Sequence, residues 1–470
     1  MRLRLVSLAL LLTLLAPFLY LGAEAADFVR RNRAGNSPSR AAPVLPLQAI
    51  RGDDRVLVVS PHPDDEVLAC AGLIQHALEA GARVRVLVLT NGDGFRLATA
   101  TAVRRAHVEA CDHLRMGERR QSETLAGLQR LGLHSRHVEF LGYPDGGLEP
   151  LWRDHWSADN PYRSPWTGMT ASALRTRSGS VPYAGEALLG DLRRAVRELQ
   201  PTIVAVPHPL DDHPDHAAAS AFATLAALQE MPDANRRLLF YVVHRGDWPT
   251  PMSLHREKSL PPPAAMRATD TRWHSLSLTP RQVERKLVAI AEHRSQTAVM
   301  ERYLKSFARS TESFGEIPIP QAARLTDAPP SVAWPGTDRW AWMREPVNDN
   351  VARDLKRSAD IQAVGAARDA TTLFLQVVTV DPLPRNLHMR IHLRFFGDMG
   401  TGSAGGQYVV NVRTPSGVTP ADLAIRAGSH SVQVAVPLRE LGHARGIAAQ
   451  VETVFAGVRV DSTGYRFVGL

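Results

Sequence analysis

Cysteine is nearly absent from this chain: Cys70 and Cys111 are the only two in 470 residues. No disulfide framework can therefore support the fold, and an oxidising compartment would permit one bridge at most. Both positions read as helical within one unit, so two buried structural thiols are the expectation. Also missing are a long Lys/Arg block and an aromatic stripe interleaved with basic residues. That absence argues against nucleic acid as a partner, although the formal net charge is +8. The charge suits an anionic membrane surface or acidic glycans instead. There is no internal repeat and no low-complexity tract. What is present is globular in kind, with 44% hydrophobic and 22% charged residues. The length exceeds what one hydrophobic core usually serves, so two domains are expected.

The first 25 residues read as an export signal. Arg2 and Arg4 precede an apolar stretch from Leu5 to Leu21, and Ala23-Glu24-Ala25 fits a small-residue cleavage site. The stretch is long for a removable signal and near the minimum for a spanning helix, so cleavage after Ala25 and retention as a membrane anchor both stand. Either outcome puts the main body outside the cytosol, as a periplasmic, extracellular or membrane-anchored protein. A polar linker follows over residues 26–50.

Residues 51–325 alternate strand and helix patterns. Helices are expected at 65–80, 103–115, 119–131, 185–199, from 214, and near 280–294. Strands are expected at Val56–Val59, Arg83–Thr90, His137–Leu141, Thr202–Val206 and Leu238–Val243. The alternation predicts an α/β fold, a Rossmann-like, mostly parallel sheet with helices on both faces. An excursion at 144–183, rich in Trp, Tyr, Pro and Ser, is long enough to predict a functional rim or lid. Residues 326–346, with Trp334, Trp340 and Trp342, read as a packed linker. From 347 to 470, strand-like runs separated by Gly/Pro/Asp turns predict a smaller all-β, sandwich-like domain. Gly400, Gly402 and Gly405 match a G-x-G-x-x-G string but lie between strand-like runs, so a hairpin loop is the better reading.

Two short segments carry the chemistry. Pro61-His62-Pro63-Asp64-Asp65-Glu66 and His213-Pro214-Asp215-His216 each follow a β-branched apolar run. Both should emerge at strand carboxyl ends, where open α/β sheets bind ligands. A catalytic zinc site wants three ligands from His and carboxylates plus an open position for water, whose pKa falls toward neutrality. His62 and Asp65 lie close together on the first turn after a strand, and His216 completes the set. Such ligands suit Zn2+ and tolerate Fe2+, Co2+ or Mn2+. Asp64, beside a ligand, is placed to take a proton from the attacking water. His213 either stabilises an oxyanion and protonates the leaving amine or serves as a fourth ligand, and Asp215 would fix its tautomer. The plain alternative is that such His-Pro-Asp strings are turns, with Asp capping the next helix and Glu66 complementing its dipole.

The two motifs together closely resemble the PIG-L/LmbE-like N-acetylglucosaminyl deacetylase family of zinc-dependent amidohydrolases. Supporting strings are Thr90-Asn-Gly-Asp-Gly94, Arg120-x-x-Glu123, Leu141-Gly-Tyr-Pro-Asp-Gly-Gly147, Lys286 and His293-x-Ser295-Gln296. The resemblance covers about residues 53–316; the first motif begins with Pro61, where Ala is more usual. It implies the same metal ligands and base, with Arg120 reaching a sugar hydroxyl or phosphate and Asp145 a sugar hydroxyl. Arg120 could equally pair with Glu123 on the helix surface. His293 either lines the cleft or packs a helix against the sheet.

The leading expectation is an exported metal-dependent deacetylase acting on an N-acetylglucosamine-type sugar in a glycan or lipid-linked sugar. An amidase for another N-acylated substrate and a non-catalytic glycan-binding protein are the alternatives. A two-metal phosphatase would need more carboxylate ligands.

Overall fold

The computed structural model describes residues 43–470 except 173–179, 233–235, 247, 326–334, 336–338, 347–355, 385–386, 398–406, 414–422, 442–443 and 456. The export segment, Trp334 and the glycine string lie outside the described residues. Among those described, no helix is long and apolar enough to cross a membrane.

The first sheet contains β1 (Leu45–Pro46), β2 (Arg55–Ser60), β3 (Arg83–Thr90), β4 (Val138–Tyr143), β5 (Ile203–Pro207), β6 (Arg237–Tyr241), β7 (Arg272–Ser277) and β8 (Thr311–Glu316). Its order is β1-β7-β8-β6-β5-β2-β3-β4. Strands β2 to β6 pair in parallel, and β8 runs antiparallel to both β6 and β7. The chain steps outward from β2 through β3 to β4, then returns to start β5 on the other side of β2. The β2–β5 boundary is thus the point where strand order reverses, which opens a crevice at the carboxyl ends. Both motifs leave the sheet there. The helices are α1 (Asp65–Glu79), α2 (Arg96–Val103), α3 (Ala110–Leu131), α4 (Leu148–Arg153), α5 (Gly185–Leu199), α6 (Pro214–Glu230), α7 (Pro280–Glu292) and α8 (Arg294–Lys305).

Strand periodicity sorts the core. Val56 and Val58 point into one cluster with residues of α1, α3 and α7, while Leu57 and Val59 point into the opposite one with α5 and α6. A strand buried on both faces has no polar alternation, which is why β2 and β5 read as continuous apolar runs. Burying each such side chain contributes about 1.5–3 kcal/mol, so the loops leaving these strands start from a rigid base.

Several local expectations need correction. No single helix spans 103–115: Arg104 adopts a left-handed conformation (φ 54°) that ends α2, and residues 104–109 are not helical. A new helix, α3, begins at Ala110 after the N-cap Glu109, whose side chain forms a capping box with Asp112, and it runs unbroken through Gly117 to Leu131. An interior glycine costs about 1 kcal/mol relative to alanine, which the buried face of α3 offsets. The helix at 280–292 breaks at His293 and restarts as α8. Cys70 is buried, but Cys111 is exposed and both are free. Leu45–Pro46, within the expected linker, adds an edge to β7.

The remaining strands are β9 (Ala323–Arg324), β10 (Ala341–Arg344), β11 (Ile361–Arg368), β12 (Thr372–Thr379), β13 (Leu387–Gly397), β14 (Gln407–Arg413), β15 (Ala424–Ala427), β16 (Ser431–Pro437), β17 (Ala444–Phe455), β18 (Val458–Ser462) and β19 (Arg466–Gly469). They form two sheets, one running β10-β11-β12-β16-β15 with β9 on β11, the other β14-β13-β17-β18 with β19 on β17. Alternate residues of both sheets, such as Leu375, Val434, Ile391 and Val451, share one core. Residues 323–324 and 341–344 already pair with β11, so the chain enters this all-β region before the stretch read as a linker.

Candidate active site

At the end of β2 the chain turns through Pro61-His62-Pro63-Asp64 and enters α1 at Asp65. Asp64 occupies the N-cap position yet makes no capping hydrogen bond with its side chain. Its backbone has φ 142°, a conformation that L-residues rarely adopt and that costs about 1–3 kcal/mol. Neighbours hold it there. The Asp64 N–H donates to Glu66 Oε2 (3.1 Å), and Ser60 Oγ donates to the same oxygen (2.9 Å). Glu66 is therefore a buried brace for the turn rather than a surface residue complementing the helix dipole. Burial, then the nearby Asp64 charge, pushes its carboxyl up to about 8.

The second loop leaves β5 and enters α6 at Pro214. Asp211 is fully engaged. Its Oδ1 accepts the His213 N–H (3.0 Å), and its Oδ2 accepts the N–H groups of Val243 (2.9 Å) and His244 (3.0 Å). His213, not Asp215, caps α6: its Nδ1 accepts the Asp215 N–H at 3.2 Å. A backbone amide is always the donor, so Nδ1 carries no proton and the ring proton sits on Nε2.

Three donor atoms from the two loops converge. His62 Nδ1 lies 3.2 Å from His216 Nε2 and 3.3 Å from Asp65 Oδ2, and His216 Nε2 lies 3.1 Å from Asp65 Oδ2. Bonds of about 2.0–2.1 Å at tetrahedral angles hold neighbouring ligand atoms roughly 3.3–3.4 Å apart, so this trio fits one small divalent cation. The other ring nitrogens face carboxylates: His216 Nδ1 lies 3.3 Å from Asp211 Oδ2, and His62 Nε2 lies 3.3 Å from both Asp145 Oδ1 and Asp215 Oδ2. Imidazole ligands backed by carboxylates are the usual second layer of a zinc site. Three further groupings, His62–His213–His216, Asp65–His216–His244 and His62–Asp145–Asp215, also bring ligand atoms within 4.8 Å of one another. The trio of His62, Asp65 and His216 has all three separations at 3.1–3.3 Å.

The charges are consistent with that fit. Burial opposes protonation of His216, but Asp211 and Asp65 outweigh it and raise the ring to about 9. Burial likewise opposes charge on His62, yet Asp145, Asp215 and Asp65 hold it well above its usual range. Asp65 is held well below the carboxylate range despite its burial, chiefly by His216. Four carboxylates thus create a strong demand for positive charge where the three donor atoms meet. Asp64 differs: burial dominates, and against the opposing pull of Arg120 its carboxyl rises to about 7.

Four of the sequence expectations need correction. Asp215 fixes the His213 ring through its backbone N–H, not through its carboxylate. Its carboxylate accepts the N–H groups of Gly146 (2.7 Å) and Leu148 (2.9 Å) and faces His62, because the 144–148 turn packs over it. Arg120 neither pairs with Glu123 nor points into open space for a sugar. It is buried, with Nη1 donating to the Gly92 carbonyl (2.9 Å), Nη2 to the Pro63 carbonyl (2.8 Å), and Nη2 lying 3.2 Å from Asp64 Oδ2. Glu123 pairs instead with Arg119 and Ser295. Asp145 is also occupied, accepting the Gly94 N–H at Oδ2 (2.9 Å) while Oδ1 faces His62. His293 is 1% exposed, packed at the α7–α8 break with Nε2 4.0 Å from Glu66 Oε1, so it does not line the cleft.

The sequence leaves Asp211 open between a loop residue that helps position His213 and a solvated turn, and the hydrogen bond from His213 N–H favours the first; it gives little sign of His244. The His244 ring lies 4.8 Å from that of His216 and 5.2 Å from that of His213, and its Nδ1 is 3.3 Å from Tyr303 Oη. Its one available signal was its place just beyond β6, another parallel strand with its carboxyl end at the crevice.

Residues 57–227 match the family model described as PIG-L, GlcNAc-PI de-N-acetylase. That stretch, from β2 through most of α6, is similar to PIG-L domains. Among curated proteins, the 1D-myo-inositol 2-acetamido-2-deoxy-alpha-D-glucopyranoside deacetylase of Mycobacterium sp. (strain KMS) is 38% identical over 109 residues, 23% of this chain and 32% of that protein. The protein of that name from Tsukamurella paurometabola is 27% identical over 264 residues, 52% of this chain and 84% of that one. The match thus spans about a third of the length of the first relative. Among solved structures, N,N'-diacetylchitobiose deacetylase from Pyrococcus horikoshii is 20% identical, covering 56% of this chain and 82% of that one, with a TM-score of 0.34. A deacetylase of teicoplanin biosynthesis is 17% identical, covering 56% and 96%, with a TM-score of 0.37.

Proposed function

We propose that this protein is an exported, metal-dependent deacetylase that hydrolyses the N-acetyl group of an N-acetylglucosamine-type sugar in an envelope glycan or lipid-linked sugar. One observation carries the reading: three donor atoms lie 3.1–3.3 Å apart, and Asp64, spared from helix capping, lies beside them. The PIG-L match and the relatives' activity on an acetamido sugar support the substrate class. The basic, apolar N-terminus supports export.

His62 Nδ1, Asp65 Oδ2 and His216 Nε2 would hold the metal, with zinc the first choice for such ligands. When bound, the cation would supply Lewis acidity and lower the pKa of a water molecule. Asp64 accepts the proton of the attacking water. Arg120 occupies its Oδ2, which leaves Oδ1 for that proton. A carboxyl near pH 7 can take the proton and pass it on to the departing amine within the same pH range. His213 Nε2–H donates to the oxygen on which charge develops. Asp211, Asp145 and Asp215 keep the two ligand imidazoles in their tautomers.

The test is amine release by the full chain, loaded with Zn2+ or Co2+, across a panel of N-acetylated glycans, lipid-linked sugars and longer N-acyl analogues. Acetate and free amine in equal amounts from an acetamido sugar are expected. Release confined to non-sugar amides would replace the substrate class, and no release with a fully loaded site would overturn the enzyme reading.

A further inference from the structure

Strands β13 and β17 each put one face into the all-β core, through Ile391, Leu393 and Val451. Their opposite face carries His392, Arg394 and Glu452. A polar strand face ordinarily meets water, yet Arg394 and Glu452 are each 2% exposed. What covers them is the α/β unit. Arg153, the last residue of α4, pairs with Glu452 through both arms, Nη1 to Oε1 at 3.0 Å and Nη2 to Oε2 at 2.8 Å. Its Nη2 also lies 2.7 Å from His392 Nε2. Arg394 donates to the Trp152 carbonyl, and its guanidinium lies 3.5 Å from the Trp156 ring centre. Trp152 in turn meets Phe222 of α6 edge-on at 4.8 Å.

Helix α4 is only six residues long. At its other end, Gly146 and Leu148 donate to Asp215, which faces His62 Nε2 at 3.3 Å. A second contact reaches the other loop. A Cβ on Gly464, just before β19, would lie 2.3 Å from the carbonyl oxygen of Pro209, two residues before Asp211. The all-β region therefore presses on both loops that orient the ligand histidines.

We propose that the C-terminal sheets are a positioning element of the active site, with Glu452 and Arg394 as positioning residues that clamp α4 and so aim Asp215 at His62. A two-armed Arg–carboxylate pair fixes direction as well as distance, which suits it to this task. Neither residue touches the reacting atoms. The consequence for metal binding rests on the site reading above; the clamp itself does not.

The experiment compares Glu452→Gln in the full chain with Val434→Ala, a core substitution in the other C-terminal sheet, at temperatures giving equal fractional stability. Amide hydrogen exchange of peptides spanning 144–153 and 208–216 reports the clamp without any metal. Co2+ titration followed by visible absorption reports the ligand geometry. Glu452→Gln is expected to speed exchange in both peptides and to weaken Co2+ binding about 10–100-fold, while Val434→Ala does neither. Exchange no faster than in Val434→Ala overturns the clamp. Faster exchange with unchanged Co2+ affinity overturns the positioning role. If the parent protein binds no Co2+, the metal reading fails and exchange alone decides the clamp. Should Glu452→Gln not fold, Arg153→Lys, which keeps the charge but loses the two-armed pairing, is read in the same way.

Discussion

Arg120 holds Asp64: Nη2 lies 3.2 Å from Oδ2, and both side chains are almost wholly withdrawn from water. The same guanidinium ties down the carbonyls of Pro63 and Gly92, so one residue fixes both the strained turn and its carboxylate. Because Arg120 opposes the upward push of burial on Asp64, its removal should raise that carboxyl further. An opposite charge at this range is typically worth roughly one to three pH units. Arg120→Met should therefore move the acid limb of the rate profile up by about that amount and leave bound metal unchanged, with Arg120→Lys in between. A rise in KM with an unmoved limb would instead make Arg120 a substrate contact.

Asp64 and Asp65 are neighbours with opposite assignments, and variants separate them. Asp65→Asn should lose metal stoichiometry, as should His62→Ala and His216→Ala. Asp64→Asn keeps the trio intact and nearly the same side-chain shape, so it should retain metal while turnover falls about 10²–10⁴-fold. Metal analysis beside the assay decides. Recovery of Asp64→Asn activity by excess zinc would reverse the two roles.

Much of this arrangement is legible in the sequence because strand ends leave strong traces. Val56–Val59 and Ile203–Val206 are buried on both faces and read as apolar runs, so the loops after them could be located in the fold before their contacts were known. The direction of long side chains leaves no such trace. Arg120 sits on a helix in either reading, and only the packing of α3 against the Pro63 turn decides which way its guanidinium points. Asp211 and His244 are single polar residues in loops, without a spacing that distinguishes a histidine brace from a solvated turn. The polar face of β13 and β17 is a similar case. Alternating sequence predicts a solvated face, and tertiary contact with α4 buries it instead.

The convergence of carboxylates on two raised histidines makes metal binding a proton exchange. With the site empty of cation, His62 and His216 both hold protons at neutral pH, the latter to about 9. A metal displaces both, so affinity should rise with pH across the neutral range, with close to two protons released per ion near pH 7. Calorimetry in buffers of different ionisation enthalpy measures that number. Two positive charges leave as one divalent ion arrives, so the field at Asp64 changes little. The acid limb of the loaded enzyme should therefore stay near pH 7. Release of no protons at pH 7 would mean that these histidines are neutral and that the trio is not the site.

His213 offers two mechanisms, and its hydrogen bond favours one. Nδ1 accepts the Asp215 N–H, and burial followed by the positive His62 and His216 lowers the ring to about 3. The ring should thus be neutral throughout the working range and act as an Nε2–H donor, not as the cation that the sequence motif suggested. His213→Gln places an amide N–H in the same region and should keep most of the turnover, with an unchanged alkaline limb. His213→Ala removes the donor and should cost about 10²–10³-fold in kcat, the usual loss for one oxyanion donor. Both should bind metal as the parent does. A cationic role predicts the reverse for Gln, with large losses and a flattened alkaline limb. A fourth-ligand role predicts that His213→Ala weakens the metal site itself, which a Co2+ titration of the three proteins would reveal directly.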